Sequence, residues 1–191
     1  MNQNDEITNG RNTIDVDDLI SRTQAEDSRN SKLMKSVFYL YLFCSVLYTL
    51  LYVVNPDPDL TKFDRLAGLC YVTAFVAGTF FFRKEYKTLK NMVYAVPLLQ
   101  LVKENEIRYR FFSYKWWYVL LIVLLIGAGL SFSFTNPGRF GMFSISQKLV
   151  VIHGFYWSVL AISGYIGYRL WKKRSRPIWR DSKALLKELE S

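Results

Sequence analysis

The sequence predicts an all-α integral membrane protein: four transmembrane helices arranged as two hairpins, plus cytoplasmic or interfacial helices. Three observations carry this. The 191-residue chain is 51% hydrophobic and 17% aromatic, and its apolar residues are clustered rather than periodic. Four runs contain no charged residue: Ser36 to Val54, Leu66 to Phe82, Trp116 to Gly138 and Leu149 to Tyr168, of 19, 17, 23 and 20 residues. A span needs roughly 17–25 apolar residues at 1.5 Å rise each. Four helices this uniformly apolar would leave a small soluble domain without a polar surface. Third, Lys and Arg number 5, 2, 8, 2 and 8 in the successive segments outside the runs. That alternation is the positive-inside pattern and places both termini and the central segment in the cytoplasm.

The elements follow in order. Residues 1–31 are polar, with seven acidic residues and no apolar stretch near the start. No cleavable signal peptide is expected there, and the composition predicts a mostly disordered cytoplasmic tail. Within it, "TIDVDDLISR" mixes Ile14, Val16, Leu19 and Ile20 with three aspartates. Aspartates in a first turn favour a short helix. The reading preferred for this segment is that it folds back on the chain's own basic surface between Lys172 and Arg180, where effective concentration is high.

A four-helix transmembrane domain follows over residues 32–171, with spans expected at about 34–54, 65–83, 115–135 and 147–170. Asn55-Pro56 and Asn136-Pro137 mark turns between them. Trp116, Trp117, Tyr118, Tyr168 and Trp171 fall at the inner interface, where amphipathic rings concentrate.

Residues 84–112 are the ambiguous stretch. Met92 to Val102 has only Gln100 as a polar residue, but 11 residues are about half the length needed to cross. Crossing there would also put the C-terminal cluster of eight basic residues on the opposite side from the N-terminus. The reading is a cytoplasmic, amphipathic interfacial segment broken near Pro97, with Leu89, Met92, Val96, Leu99 and Val102 toward the inner leaflet. The competing reading packs it against the C-terminal tail. Residues 172–191 form a basic cytoplasmic C-terminal helix, with Ile178, Leu185 and Leu189 near one face.

Small residues four apart are candidates for close helix packing: Ala74 with Gly78, Gly127 with Ser131, Gly154 with Ser158, and Ser163 with Gly167. His153, the single histidine, is a candidate intramembrane polar residue. No catalytic, cofactor-binding or metal-binding residue is expected. The uncharged runs supply no ionisable group for an ion path or a membrane active site. One histidine excludes His-rich metal sites, and the outer-loop aspartates lack calcium-loop spacing. Cys44 and Cys70 read as reduced packing residues at different depths.

The net charge of +9 sits beside the spans, where topology accounts for it, so nucleic acid is not an expected partner. The expected partners are the lipid bilayer and a cytoplasmic protein or a second copy of the chain. The chain resembles, in its general character only, small multi-pass inner-membrane proteins of bacteria. The expected role is non-enzymatic: a regulatory or scaffold protein of the plasma membrane, presenting cytoplasmic helices to a partner or to the inner leaflet. The alternative is a small oligomeric transport or permeation subunit.

Overall fold

A computed structural model describes residues 15–55, 60–113, 115–135 and 144–190. Among these the fold is all-α, built from α1 (Val16–Thr49, continued as a π-helical turn over Leu50–Val54), α2 (Lys62–Lys90), α3 (Leu98–Tyr109), α4 (Lys115–Thr135) and α5 (Ile145–Leu189). Four of these, all but α3, are long and apolar enough to cross a membrane.

Local chemistry sets most ends. Asp15 caps α1 by accepting from the amides of Asp17 and Asp18 at 3.0 and 3.3 Å, and those two aspartates meet the positive end of the helix dipole. Thr61 with Asp64 and Ser144 with Gln147 close reciprocal capping boxes on α2 and α5. Pro97, which cannot donate a backbone hydrogen bond, stands just before α3.

The apolar segments pair through small residues and hydroxyls. Ser45 and Thr79 are hydrogen-bonded at 3.3 Å between α1 and α2, and a Cβ on Gly78 or Gly68 would fall 2.2 or 2.3 Å from Tyr41 or Tyr52. Tyr71 and Ser133 bond at 3.3 Å between α2 and α4. Contacts run from Tyr52–Gly68 to Tyr41–Gly78, so numbers rise on α2 as they fall on α1. α4 and α5 meet at Ser131–His153, 2.8 Å apart, and at the Tyr156 hydroxyl, which donates to the Val123 carbonyl at 2.7 Å. Outward faces stay apolar and exposed, as at Phe43, Val150 and Ile162.

Beyond one end of the apolar segments, three pieces of chain form a separate small core. Leu19 of α1, Val102 and Tyr109 of α3, and Ile178 and Leu185 of α5 are buried together, with Val16, Leu98, Trp179 and Leu186 packed around them.

This core corrects three expectations. The tail is not disordered through residue 31: α1 begins at Val16, because Leu19, Thr23, Glu26 and Asp27 recur at helical spacing and have a surface to bury against. Residues 1–14 lie outside the described residues. Residues 172–189 are not a separate helix, because α5 runs unbroken through Pro177. Pro177 removes only one interior hydrogen bond, toward Lys173, and Ser175, Ile178, Ser182 and Leu185 supply a continuous buried stripe. Finally, the apolar face expected across residues 89–102 does not exist as one face. Residues 92–95 are non-helical, so helical spacing across Pro97 has no structural meaning, and Leu99 is exposed. The buried face of α3 is Leu101, Val102, Asn105 and Tyr109, turned toward α1 and α5.

Candidate functional site

The candidate site is the extra-segment bundle and its polar centre. Asp27 lies on the inward face of α1 and is 1% exposed. Its carboxylate accepts from the Tyr109 hydroxyl at 2.6 Å, the Arg108 guanidinium at 2.6 Å and the Tyr94 hydroxyl at 2.9 Å. Charge-assisted bonds of this kind are about twice as strong as neutral ones. Arg108 also reaches Glu104 at 3.4 Å, one turn back on α3. One turn earlier on α1, the Asn105 amide donates to the Thr23 hydroxyl at 3.3 Å. Each donor is delivered by a helix or by the short segment before Pro97, and each bond joins residues 67 to 82 positions apart.

Burial and the nearby Asp27 charge both push the tyrosine hydroxyls toward their neutral form. Tyr94 is pushed up to about 12, by desolvation first and Asp27 second. Tyr109 is raised further for the same reasons in the same order. Both therefore remain donors at neutral pH. The arrangement is a structural clasp: it ties α1 to α3 and, through neighbouring contacts, to α5. Arg22 of α1 reaches Asp181 at 3.1 Å, and Ser175 donates to Glu26 at 3.4 Å. The "TIDVDDLISR" segment thus folds onto its own chain from Asp15 onward, but through Leu19 in the apolar core and an Arg22–Asp181 pair rather than through its aspartates on the basic residues between Lys172 and Arg180.

Where the bundle meets the apolar segments there is an aromatic collar. The Phe111 ring lies 4.9 Å from Trp171, 5.5 Å from Tyr168 and 5.7 Å from Trp116. The Trp171 indole donates to the Tyr109 carbonyl at 2.9 Å, fixing α5 to the end of α3. Lys115 and Glu85 pair across α4 and α2 at the same level.

The residues singled out from sequence fall in two groups. Ala74 and Gly78 are buried on α2, and Gly78 faces Tyr41. Gly127 is 3.5 Å, measured from its would-be Cβ, from Tyr156, and Ser131 bonds His153. His153 is thus half-buried between α4 and α5. In contrast, Gly154, Ser158, Ser163 and Gly167 are exposed, and nothing lies within 4 Å of a Cβ on Gly154 or Gly167. On α4 it is Gly129 that meets α2 closely, where a Cβ would be 2.6 Å from Tyr71. Four of the five residues 127–131 of α4 are small, and which one faces α2 depends on helix rotation.

The Asp27 clasp is absent from the sequence reading. The signal available was the amphipathic spacing Leu19, Thr23, Asp27; its partners lie too far along the chain to be inferred. Among the described residues no group of His, Cys, Asp and Glu is arranged to hold a metal, and Cys44 and Cys70 are free. No protein-family model, curated protein or solved structure matches this chain.

Proposed function

We propose that this chain is a membrane-anchored regulatory or scaffold protein. Four helices cross the plasma membrane as two hairpins, and a three-part cytoplasmic bundle is presented to a protein partner at the inner surface. The observation that carries the reading is the bundle itself. It joins the start of α1, the central helix α3 and the end of α5 around one core. It thereby gathers the three basic-rich stretches at one end of the molecule, as the positive-inside rule asks of a cytoplasmic face. Basic-inward topology of this kind fits a bacterial inner membrane.

The mechanical layout supports signal or binding linkage rather than passive anchoring. α1 and α5 pass from apolar segment to bundle without interruption. A shift of either helix moves a bundle wall directly. Outward from the bundle, α3 presents Leu99, Lys103 and Ile107, one residue per turn, with Ile107 65% exposed. Exposed apolar residues at helical spacing, flanked by charge, suit a helix-in-groove or helix-on-helix contact.

Several polar side chains of the apolar segments bond between helices, as at Ser45–Thr79, Tyr71–Ser133 and Ser131–His153. Such bonds act as interhelical glue, which supports a packed anchor over a hydroxyl-lined pore.

The test is site-specific photocrosslinking in intact membranes, with the crosslinker at Ile107 or Arg176. A discrete protein adduct from Ile107, lost when Asp27→Ala opens the bundle, is expected. Absence of any protein adduct, together with solute flux in liposomes from the pure protein, would overturn the scaffold reading in favour of permeation. The orientation is checked separately: Asn91→Cys should label only after permeabilisation, and Asn136→Cys from outside.

A further inference from the structure

We infer that the cleft between α1 and the end of α2 is a binding site for the phosphate of an anionic glycerophospholipid of the inner leaflet. The inference rests on the membrane topology proposed above. The cleft has a volume of about 420 Å³, within the roughly 300–1,000 Å³ range of small-molecule sites. One wall is a single face of α1, carrying Gln24, Ser28, Ser31, Lys32 and Lys35 at helical spacing. The other is Tyr86, Leu89 and Lys90 of α2, with Met92 and Tyr94 of the following segment also lining the cleft.

Three features select the ligand. The lining includes three lysines and no acidic residue. Lys32, Lys35 and Lys90 form no ion pair among the described residues, although six other cationic side chains do, so their charge is uncommitted. Lysine ammoniums and serine hydroxyls together are donors for phosphate oxygens. The second feature is depth. Lys35 directly precedes the uncharged run that begins at Ser36, and Tyr86 to Lys90 lie one to two turns past Phe82, where the second run ends. That is the headgroup level, where basic pockets between helices recognise anionic lipids. The third is the mixed lining: Leu89, Met92 and the lysine stems give the carbons of a headgroup on the cytoplasmic side of the phosphate an apolar wall.

The cleft also touches the clasp. Tyr94 lines it while donating to Asp27 at 2.9 Å. Lipid phosphate in the cleft would therefore sit against the segment that joins α2 to α3.

The experiment is native mass spectrometry of the detergent-purified full chain, titrated with phosphatidylglycerol, phosphatidylcholine or inorganic phosphate. Wild type should hold phosphatidylglycerol in preference to phosphatidylcholine. The triple variant Lys32→Gln, Lys35→Gln, Lys90→Gln should weaken that binding by about a hundredfold, the order expected for removing three lysines at a charged surface. A control triple variant, Lys172→Gln, Lys173→Gln, Lys187→Gln, removes equal charge elsewhere and should bind as wild type. Equal losses in both triples would mean diffuse attraction and overturn the site, as would the absence of a preference for phosphatidylglycerol. Competition by inorganic phosphate as effective as by lipid would reassign the cleft to free phosphate and overturn the lipid source. Carbonate extraction of the same proteins separates the two readings. A chain that stays in the membrane but shows no lipid preference loses only the cleft; a chain that is extracted loses the topology.

Discussion

Removing the Asp27 carboxylate should open the bundle while leaving the apolar segments folded together. Asp27→Ala withdraws the acceptor from three donors at 2.6, 2.6 and 2.9 Å and leaves the Arg108 guanidinium, whose side chain is 12% exposed, without its closest counter-charge. Breaking a buried pair by deleting one partner costs about 3–5 kcal/mol, since the remaining charge stays desolvated. The residual Glu104 contact at 3.4 Å places this case at the lower end, about 3 kcal/mol. That corresponds to a roughly 150-fold rise in the opening equilibrium, since each 1.4 kcal/mol is tenfold. The assay is amide hydrogen exchange of the detergent-solubilised protein, following peptides that cover residues 16–31, 98–109 and 175–189. All three should lose protection together, because one core holds them. Peptides over Tyr71 to Gly78 should change little, their contacts being to α1 beyond Ser36 and to α4. Asp27→Asn, which keeps one acceptor oxygen, should fall between. Exchange in Asp27→Ala within about fivefold of wild type, under 1 kcal/mol, would refute the role given to the clasp.

Further outcomes follow from the same contacts. The raised tyrosine hydroxyls link bundle stability to alkaline pH: Tyr94 folds neutral with its titration near 12 against an unfolded value near 10, so its contribution is full below pH 10 and is lost as pH rises through about 12. Exchange protection of the bundle should therefore decline across that window, and the double variant Tyr94→Phe, Tyr109→Phe should show a shallower decline from a lower starting protection. Gly68→Ala places a methyl 2.3 Å from the Tyr52 Cβ, near backbone that cannot swing aside, and should lower thermal stability by about 1–3 kcal/mol. Gly167→Leu meets open space in the single chain, so its melting temperature under monomeric conditions should match wild type; a clear fall would mean that α5 packs differently. Ser182 is fully buried with its hydroxyl unpartnered, so Ser182→Ala should be neutral to about 1 kcal/mol stabilising in the same melt.

Much of the fold was legible because its signals are local. Length and apolarity mark the four long helices without reference to any neighbour, as at Trp116 to Thr135. The helix starts were written in short motifs too: Thr61-x-x-Asp64 and Ser144-x-x-Gln147 each carry their own cap. Small-residue spacing found Ala74 and Gly78, but it could not separate them from Ser163 and Gly167. The same four-residue spacing is buried on α2 and exposed on α5. Rotation about the helix axis decides between those outcomes, and spacing alone leaves rotation free.

The stretch between α2 and α4 shows the boundary between the two kinds of information. Sequence settled that Met92 to Val102 is too short to cross, because a length comparison needs nothing else. It also set Pro97 as the break, because a missing N–H acts locally. Where α3 then turns its apolar side was decided by tertiary structure. Val102 and Tyr109 are buried with Leu19 and Ile178, residues about 80 positions away in either direction, and Asp27 is tolerated inside only because Arg108, Tyr94 and Tyr109 arrive together. A lone aspartate in a polar tail looks like a solvated residue when its partners are unseen. Desolvation without pairing would exclude it from a core, and pairing is a property of the folded chain.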